Sequence, residues 1–280
     1  MAQAQKDLSS QAEKQLISYE VKDGVALLTL NDPPANTYSY EMMQQLDAHI
    51  LKARMDEAVQ VIVITGAGEK FFCAGANIAM LSEVTPEFKY YFCLHANETM
   101  NRLEQTPKLV IAAINGHCVG GGLEVSMAAD LRIARRGAGK MGLPEVSLGV
   151  LPGTGGTQRL ARLVGKSKAI ELMAAGELFD FEKGETLGLV NRIIDATDSA
   201  DFLGQALDYA KQFATPHKAS RAVGRIKRGA DRRRNSPRVG TGVGTRASAA
   251  TVSIRRRERR AGRLRKQAET GIQRTVNRES

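Results

Sequence analysis

The 280-residue sequence predicts an α/β fold. Two observations carry that expectation. Strand-like and helix-like segments alternate along most of the chain, an order that stacks helices on a sheet. Two of the strand-like segments, "VQVIVITG" (59–66) and "KLVIAAING" (108–116), are continuous apolar runs ending in glycine, the pattern of buried strands.

Taken in order, "LISYEV" (16–21) and "VALLTL" (25–30) flank a turn at Asp23 and Gly24 and read as a hairpin. After the breaker "NDPPAN", Met42, Met43, Leu46, Ile50 and Leu51 recur at helical spacing, so a helix capped by Ser39 is expected over 39–54. The buried strand at 59–66 follows, then a helix over 86–103 and the second buried strand at 108–116. Beyond it the pattern predicts a helix at 121–128, a strand at "LRIA", helices at 157–163 and 167–175, and a strand at "LVNRII". Helices at 199–213 and 216–227 complete the regular part.

Hydrophobic residues make up 42% of the chain and charged residues 25%, ordinary values for a globular protein with a sizeable core. No run approaches the roughly 18 apolar residues of a membrane span, and the start "MAQAQKDLSSQAEKQ" lacks the apolar stretch of a signal peptide. Cys73, Cys93 and Cys118 are odd in number and widely spaced, without a CxxC. Neither a disulfide framework nor a zinc site is signalled, and a reducing cytoplasm is expected. His49, His95, His117 and His217 show no metal-ligand spacing.

The net charge of +10 points towards nucleic acid until its distribution is read. Residues 229–280 hold 15 of the 40 basic residues and 4 of the 30 acidic ones, which leaves 25 and 26 in the first 228. The body is neutral and the last 52 residues are an Arg-rich segment with no aromatic residue and no helical or strand period. That composition predicts a disordered basic tail. The expected organisation is a polar N-terminal segment (1–14), a core (15–198), the start of a helical C-terminal region (199–228) and the tail (229–280).

Glycine-rich turns between a strand and a helix let a ligand come close and aim free amides at it. "VIAAINGHCVGGGLE" is one such junction, and "VIVITG" leading into "KFFCAGANIAML" is another, with Ala74, Gly75 and Ala76 opening the next helix. Two amide clusters facing one point could hold an oxyanion. Glu124 lies one turn into the apolar helix after the "GHCVGGGLE" junction, and Glu145 follows Pro144 at the start of another helical segment. Two carboxylates on apolar elements beside such a pocket could share water activation and proton delivery.

The blocks "KFFCAGANI", "INGHCVGGGLEVSMAADLRIA" and "GLPEVSLGVLPGTGGTQRLARLVG" resemble the signatures of the enoyl-CoA hydratase/isomerase (crotonase) superfamily, in order and spacing, over about residues 15–228. The resemblance implies a spiral of ββα repeats with a helical C-terminal region, trimers or dimers of trimers, and acyl-CoA thioester substrates with no metal or redox cofactor. Carried over by position, it implies the amides of Ala74 and Gly121 as the oxyanion hole. Members with both acids are typically hydratases, so Glu124 is assigned to activating water at Cβ and Glu145 to protonating Cα. Gly75, Ala76, Asn77, Ile78, Gly120, Gly122, Pro144 and Gly153 are implied to contact the CoA or acyl part. Two positions depart from the pattern. Asn77 stands where an acid is usual, and Ala79 where a basic residue is common, which puts a phosphate contact in doubt.

The family continues past residue 228 with acidic amphipathic helices, where this chain has arginine. One choice of synonymous codons for 235–257, read one base out of frame, spells "IPLESGLALERELQQQLFQSEDA". Continued to about 274 it gives "REGLAAYVNKRKPEFK", close to the family's C-terminal region. The tail is therefore expected to be a frameshift product. Two other functions are consistent with the sequence. One is Δ3,Δ2-enoyl-CoA isomerisation on the same scaffold, and the other is nonspecific RNA binding through the tail.

Overall fold

The computed structural model describes residues 14–232. The expectations for segment 1–14, apart from Lys14, and for the tail beyond 232 lie outside the described residues.

The hairpin forms as expected, β1 (Ile17–Lys22) against β2 (Val25–Leu30), antiparallel. Helix α1 (Tyr40–Met55) then crosses to β3 (Val61–Gly66), which lies parallel to β2. Ser39 caps that helix, its Oγ accepting the Met42 amide at 3.3 Å. The larger sheet has six strands, adding β5 (Leu109–Ile114), β7 (Leu131–Arg135) and β9 (Arg192–Ile194), all parallel, in the order β1-β2-β3-β5-β7-β9.

The apolar runs are continuous because both faces of this sheet are covered. Ile62 and Ile64 of β3, with Val110, Ala112 and Ile114 of β5, pack into one core. Val61 and Val63, with Leu109, Ile111 and Ala113, pack into a second one on the opposite face. That second core is completed by Phe202, Ala206 and Ala210 of α8 (Ser199–Lys211). Each fully buried Ile, Leu or Phe contributes about 1.5–3 kcal/mol.

A second sheet of three short parallel strands was not legible as separate elements. It consists of β4 (Phe71–Cys73), β6 (His117–Val119) and β8 (Met141–Gly142) in the order β4-β6-β8. Each follows a strand of the larger sheet after a brief turn, so β3-β4, β5-β6 and β7-β8 repeat one motif. Helices follow each pair: α2 (Ile78–Glu83) and α3 (Pro86–Gln105) after β4, α4 (Gly121–Met127) after β6, and α5 (Gly156–Val164), α6 (Lys166–Ala175) and α7 (Phe181–Thr186) after β8. The structure therefore contains the ββα repeats that the resemblance implied.

Two buried asparagines hold the bends between the sheets. Asn115 Nδ2 donates to the carbonyls of Gly66 and Gly68 at 2.9 and 2.8 Å. Asn36 Nδ2 donates to those of Ala67 and Phe71, both at 2.9 Å. Side-chain amides suit this place because they replace the backbone partners that a chain leaving a sheet loses.

The last helix, α9 (Ser220–Arg232), differs from the expected 216–227 at both ends. Residues 216–219 turn instead, and the helix runs through the boundary expected at 228. It is held by Lys227, whose buried ammonium pairs with Asp130 at 2.9 Å and donates to the carbonyls of Leu103 and Lys108.

Candidate active site

The first junction follows β4. Ala74 does not present its amide: its N–H donates to the Ala35 carbonyl at 3.0 Å. This corrects the expectation that Ala74 is an oxyanion donor. The next residues lie alongside Tyr38, whose N–H donates to the Gly75 carbonyl and whose carbonyl accepts from the Asn77 amide, each at 2.9 Å. Those bonds bracket Ala76 in a parallel bridge with Tyr38, so the N–H of Ala76 points away from that partner. It has no acceptor among the described residues, and Ala76 is the residue of this junction with a donor to offer. Asn77 Oδ1 accepts from the Met80 amide at 3.0 Å and caps α2, so both its amide and its side chain are engaged within the protein. Ile78 opens α2 and is 61% exposed.

The second junction lies between β6 and α4. Gly120 takes φ +56° and ψ −129°, a conformation open to glycine alone in practice. Its carbonyl accepts from Leu123 and Glu124, which starts the helix and leaves the amide of Gly121 without an acceptor among the described residues. A Cβ on Gly121 would lie 2.1 Å from the Tyr38 Oη, and one on Gly122 would lie 2.0 Å from the Cys73 carbonyl oxygen. Gly122 is thus pressed against β4, which explains its lack of a side chain by packing. The two junctions meet, since a Cβ on Gly75 would be 2.9 Å from the Gly121 nitrogen.

Both acids face this point. Glu124 is 2% exposed, and its Oε1 accepts the amides of Thr154 and Gly156 at 2.8 and 2.6 Å. Burial raises its pKa, while those two amides and Arg159 oppose the rise. Glu145 begins a short 3-10 turn (Glu145–Leu148) after Pro144. A Cβ on Gly120 would lie 3.1 Å from the Glu145 Oε1, while its buried Oε2 has no hydrogen-bond partner among the described residues. Burial, then repulsion by Glu124, pushes the Glu145 pKa up to about 7. Two carboxylates thus differ in environment: one is anchored by amides, and the other is poised to hold a proton near neutrality.

Several contributors escaped the sequence reading. The loop 152–156 carries the amides that hold Glu124, and Arg159 braces it from below. The Arg159 side chain is 5% exposed, and its guanidinium pairs with Glu104 at 3.0 Å and donates to the Thr154 carbonyl. Asn97 Nδ2 donates to the Gly153 carbonyl at 2.7 Å. Tyr38 touches both junctions, and its hydroxyl lies 3.1 Å from Thr154 Oγ1. The glycine pair 155–156 was a visible signal for the loop. Nothing in the sequence marks Tyr38 or Arg159, because their partners are 116 and 55 residues away.

A family model described as enoyl-CoA hydratase/isomerase matches residues 20–240. A probable enoyl-CoA hydratase of Bacillus subtilis (strain 168) is 41% identical over 199 residues, covering 71% of this chain and 76% of that protein. A short-chain-enoyl-CoA hydratase of Clostridium acetobutylicum is 40% identical over 179 residues, covering 63% and 68%. Among solved structures, an enoyl-CoA hydratase from Bacillus anthracis superposes with a TM-score of 0.73 at 33% identity, over 82% of this chain and 86% of that one.

Proposed function

The chain belongs to the enoyl-CoA hydratase/isomerase family, and from that premise we propose that it adds water across the 2,3 double bond of a 2-enoyl-CoA to give a 3-hydroxyacyl-CoA. One observation carries the reading. Two amides without acceptors among the described residues, Ala76 and Gly121, converge with two acids, Glu124 and Glu145, of which the second titrates at about 7.

The thioester carbonyl oxygen accepts from the amides of Ala76 and Gly121. Glu124, fixed through Oε1, takes a proton from water as the water oxygen bonds to Cβ. The π electrons move towards the thioester, charge grows on its oxygen, and the preorganised amides stabilise that charge more than the neutral ground state. Glu145 then delivers its proton to Cα. Transfer of the proton gained by Glu124 back to Glu145, through solvent, restores the starting state. Burial and the neighbouring charge suit Glu145 to the acid role, because a carboxyl titrating at about 7 keeps its proton in a large share of molecules near neutrality, where an ordinary carboxyl has lost it. Charge at the oxygen is met by amides, so the reading requires no metal or redox cofactor.

Steady loss of the conjugated enoyl-thioester absorbance of crotonyl-CoA, abolished in Glu124→Gln and Glu145→Gln, is the expected result. Failure of the wild-type chain to incorporate solvent oxygen while converting a 3-enoyl-CoA would instead establish the isomerase reaction. The same reading places the enzyme in the cytoplasm and in trimers or dimers of trimers. Support for the first is that Cys73, Cys93 and Cys118 are all free, and light scattering on the purified protein tests the second.

A further inference from the structure

We infer that Tyr38 is a positioning residue that sets the spacing of the two oxyanion donors and, through Thr154, the placement of Glu124. The inference rests on the hydratase reading and adds a residue to it.

Three contacts of one side chain and its own backbone support this. The Tyr38 main chain grips both sides of Ala76. Its ring and hydroxyl lie where a Cβ of Gly121 would be, with Oη, Cε1 and Cζ at 2.1, 2.7 and 2.7 Å. A rigid ring thus sits between the bridged segment that presents one donor and the helix that presents the other. Its hydroxyl lies 3.1 Å from Thr154 Oγ1, and the amide of Thr154 holds Glu124 Oε1.

The Thr154 side chain is among the groups that favour ionised Glu124, and the Tyr38 hydroxyl is hydrogen-bonded to its Oγ1. Burial first, and then the Glu124 charge, keep the tyrosine protonated. The donors and the acid are therefore coupled through one residue that contacts no reacting atom.

Y38F keeps the ring and the main-chain clamp and removes only the hydroxyl. With crotonyl-CoA, kcat should fall about three- to tenfold, the loss of one buried hydrogen bond, with KM changed less than about twofold. The acid limb of the pH profile should move upward, because Glu124 loses part of what holds it ionised. T154V should do the same, and the Y38F/T154V pair should lose no more than either alone. Wild-type kcat and an unmoved pH profile in Y38F overturn the inference.

A second readout does not require turnover. A 3-aryl-2-enoyl-CoA absorbs further to the red when donors polarise its thioester oxygen. Its bound spectrum should be shifted in wild type and in Y38F, and less so in Y38A or in Y38L, the second fill-in should Y38A not fold. An undiminished shift in the ring-deleted variant overturns the spacing role. Absence of crotonyl-CoA hydration by wild type, with the spectral shift retained and ring-dependent, overturns the hydratase reading and leaves the positioning role standing.

Discussion

Replacing Glu145 by glutamine should make the protein inactive and, at alkaline pH, more stable. The side chain titrates at about 7 rather than 4.5, because burial and then Glu124 disfavour its charge. For an acid raised in the folded state, the native protein holds more protons than the unfolded chain between those two values. Stability therefore falls as pH rises through that window, and the deficit is complete above about 7. Applied to 4.5 and about 7, linkage gives a change of about 2.5 kcal/mol between pH 5 and pH 8, and about 2 kcal/mol after discounting for partial solvent contact. Glutamine has the same shape and carries no charge, so the variant should lack this slope. The assay is urea unfolding of wild type and Glu145→Gln at pH 5 and pH 8. The variant should gain about 2 kcal/mol over wild type on going from the lower to the higher pH. An equal difference at both values would refute the placement of an unpartnered carboxyl in a buried site.

Glu124→Gln should lower kcat by about 10²- to 10⁴-fold with little change in thioester binding, checked by steady-state kinetics and a binding titration. The basic limb of the wild-type kcat/KM should turn near pH 7, where Glu145 loses its proton, as steady-state rates across pH would read. Gly122→Ala should cost about 3 kcal/mol or more, because its Cβ would meet the Cys73 carbonyl at 2.0 Å and backbone cannot move aside cheaply. A thermal melt reads that loss. Arg159→Met should cost about 3–5 kcal/mol by leaving Glu104 without its 4%-exposed partner and freeing the Thr154 carbonyl. Urea unfolding, with kcat measured in parallel, tests both consequences.

Much of the fold was written locally. The apolar runs of β3 and β5 required cover on two faces, and two separate cores provide it. Ser39 announced α1, and the glycines at 120–122 announced a strand-to-helix junction. The three strands of the second sheet were not visible one by one, since two or three residues are too few to show a period of two. Hints for Glu124 and Glu145 lay in their apolar surroundings, and the resemblance gave them roles. In the junction after β4 the amide that was expected to be free, that of Ala74, is bonded to the Ala35 carbonyl. "CAGAN" offers several small residues with similar amides, and which amide is spent depends on residues 35–38 lying alongside.

By itself, the sequence determined the α/β alternation and the family, and it singled out both acids and the glycine-rich junction at 120–122, because periodicity, small residues and isolated acids in apolar runs are local signals. Only the tertiary structure decided that the Ala74 amide is bonded while that of Ala76 has no acceptor among the described residues, that Thr154 and Gly156 anchor Glu124, and that Tyr38 contacts both junctions and Thr154. Each of those facts is a hydrogen bond or a close contact between segments distant along the chain, and such pairings come into being only when the sheets bring them within 3 Å or so of one another.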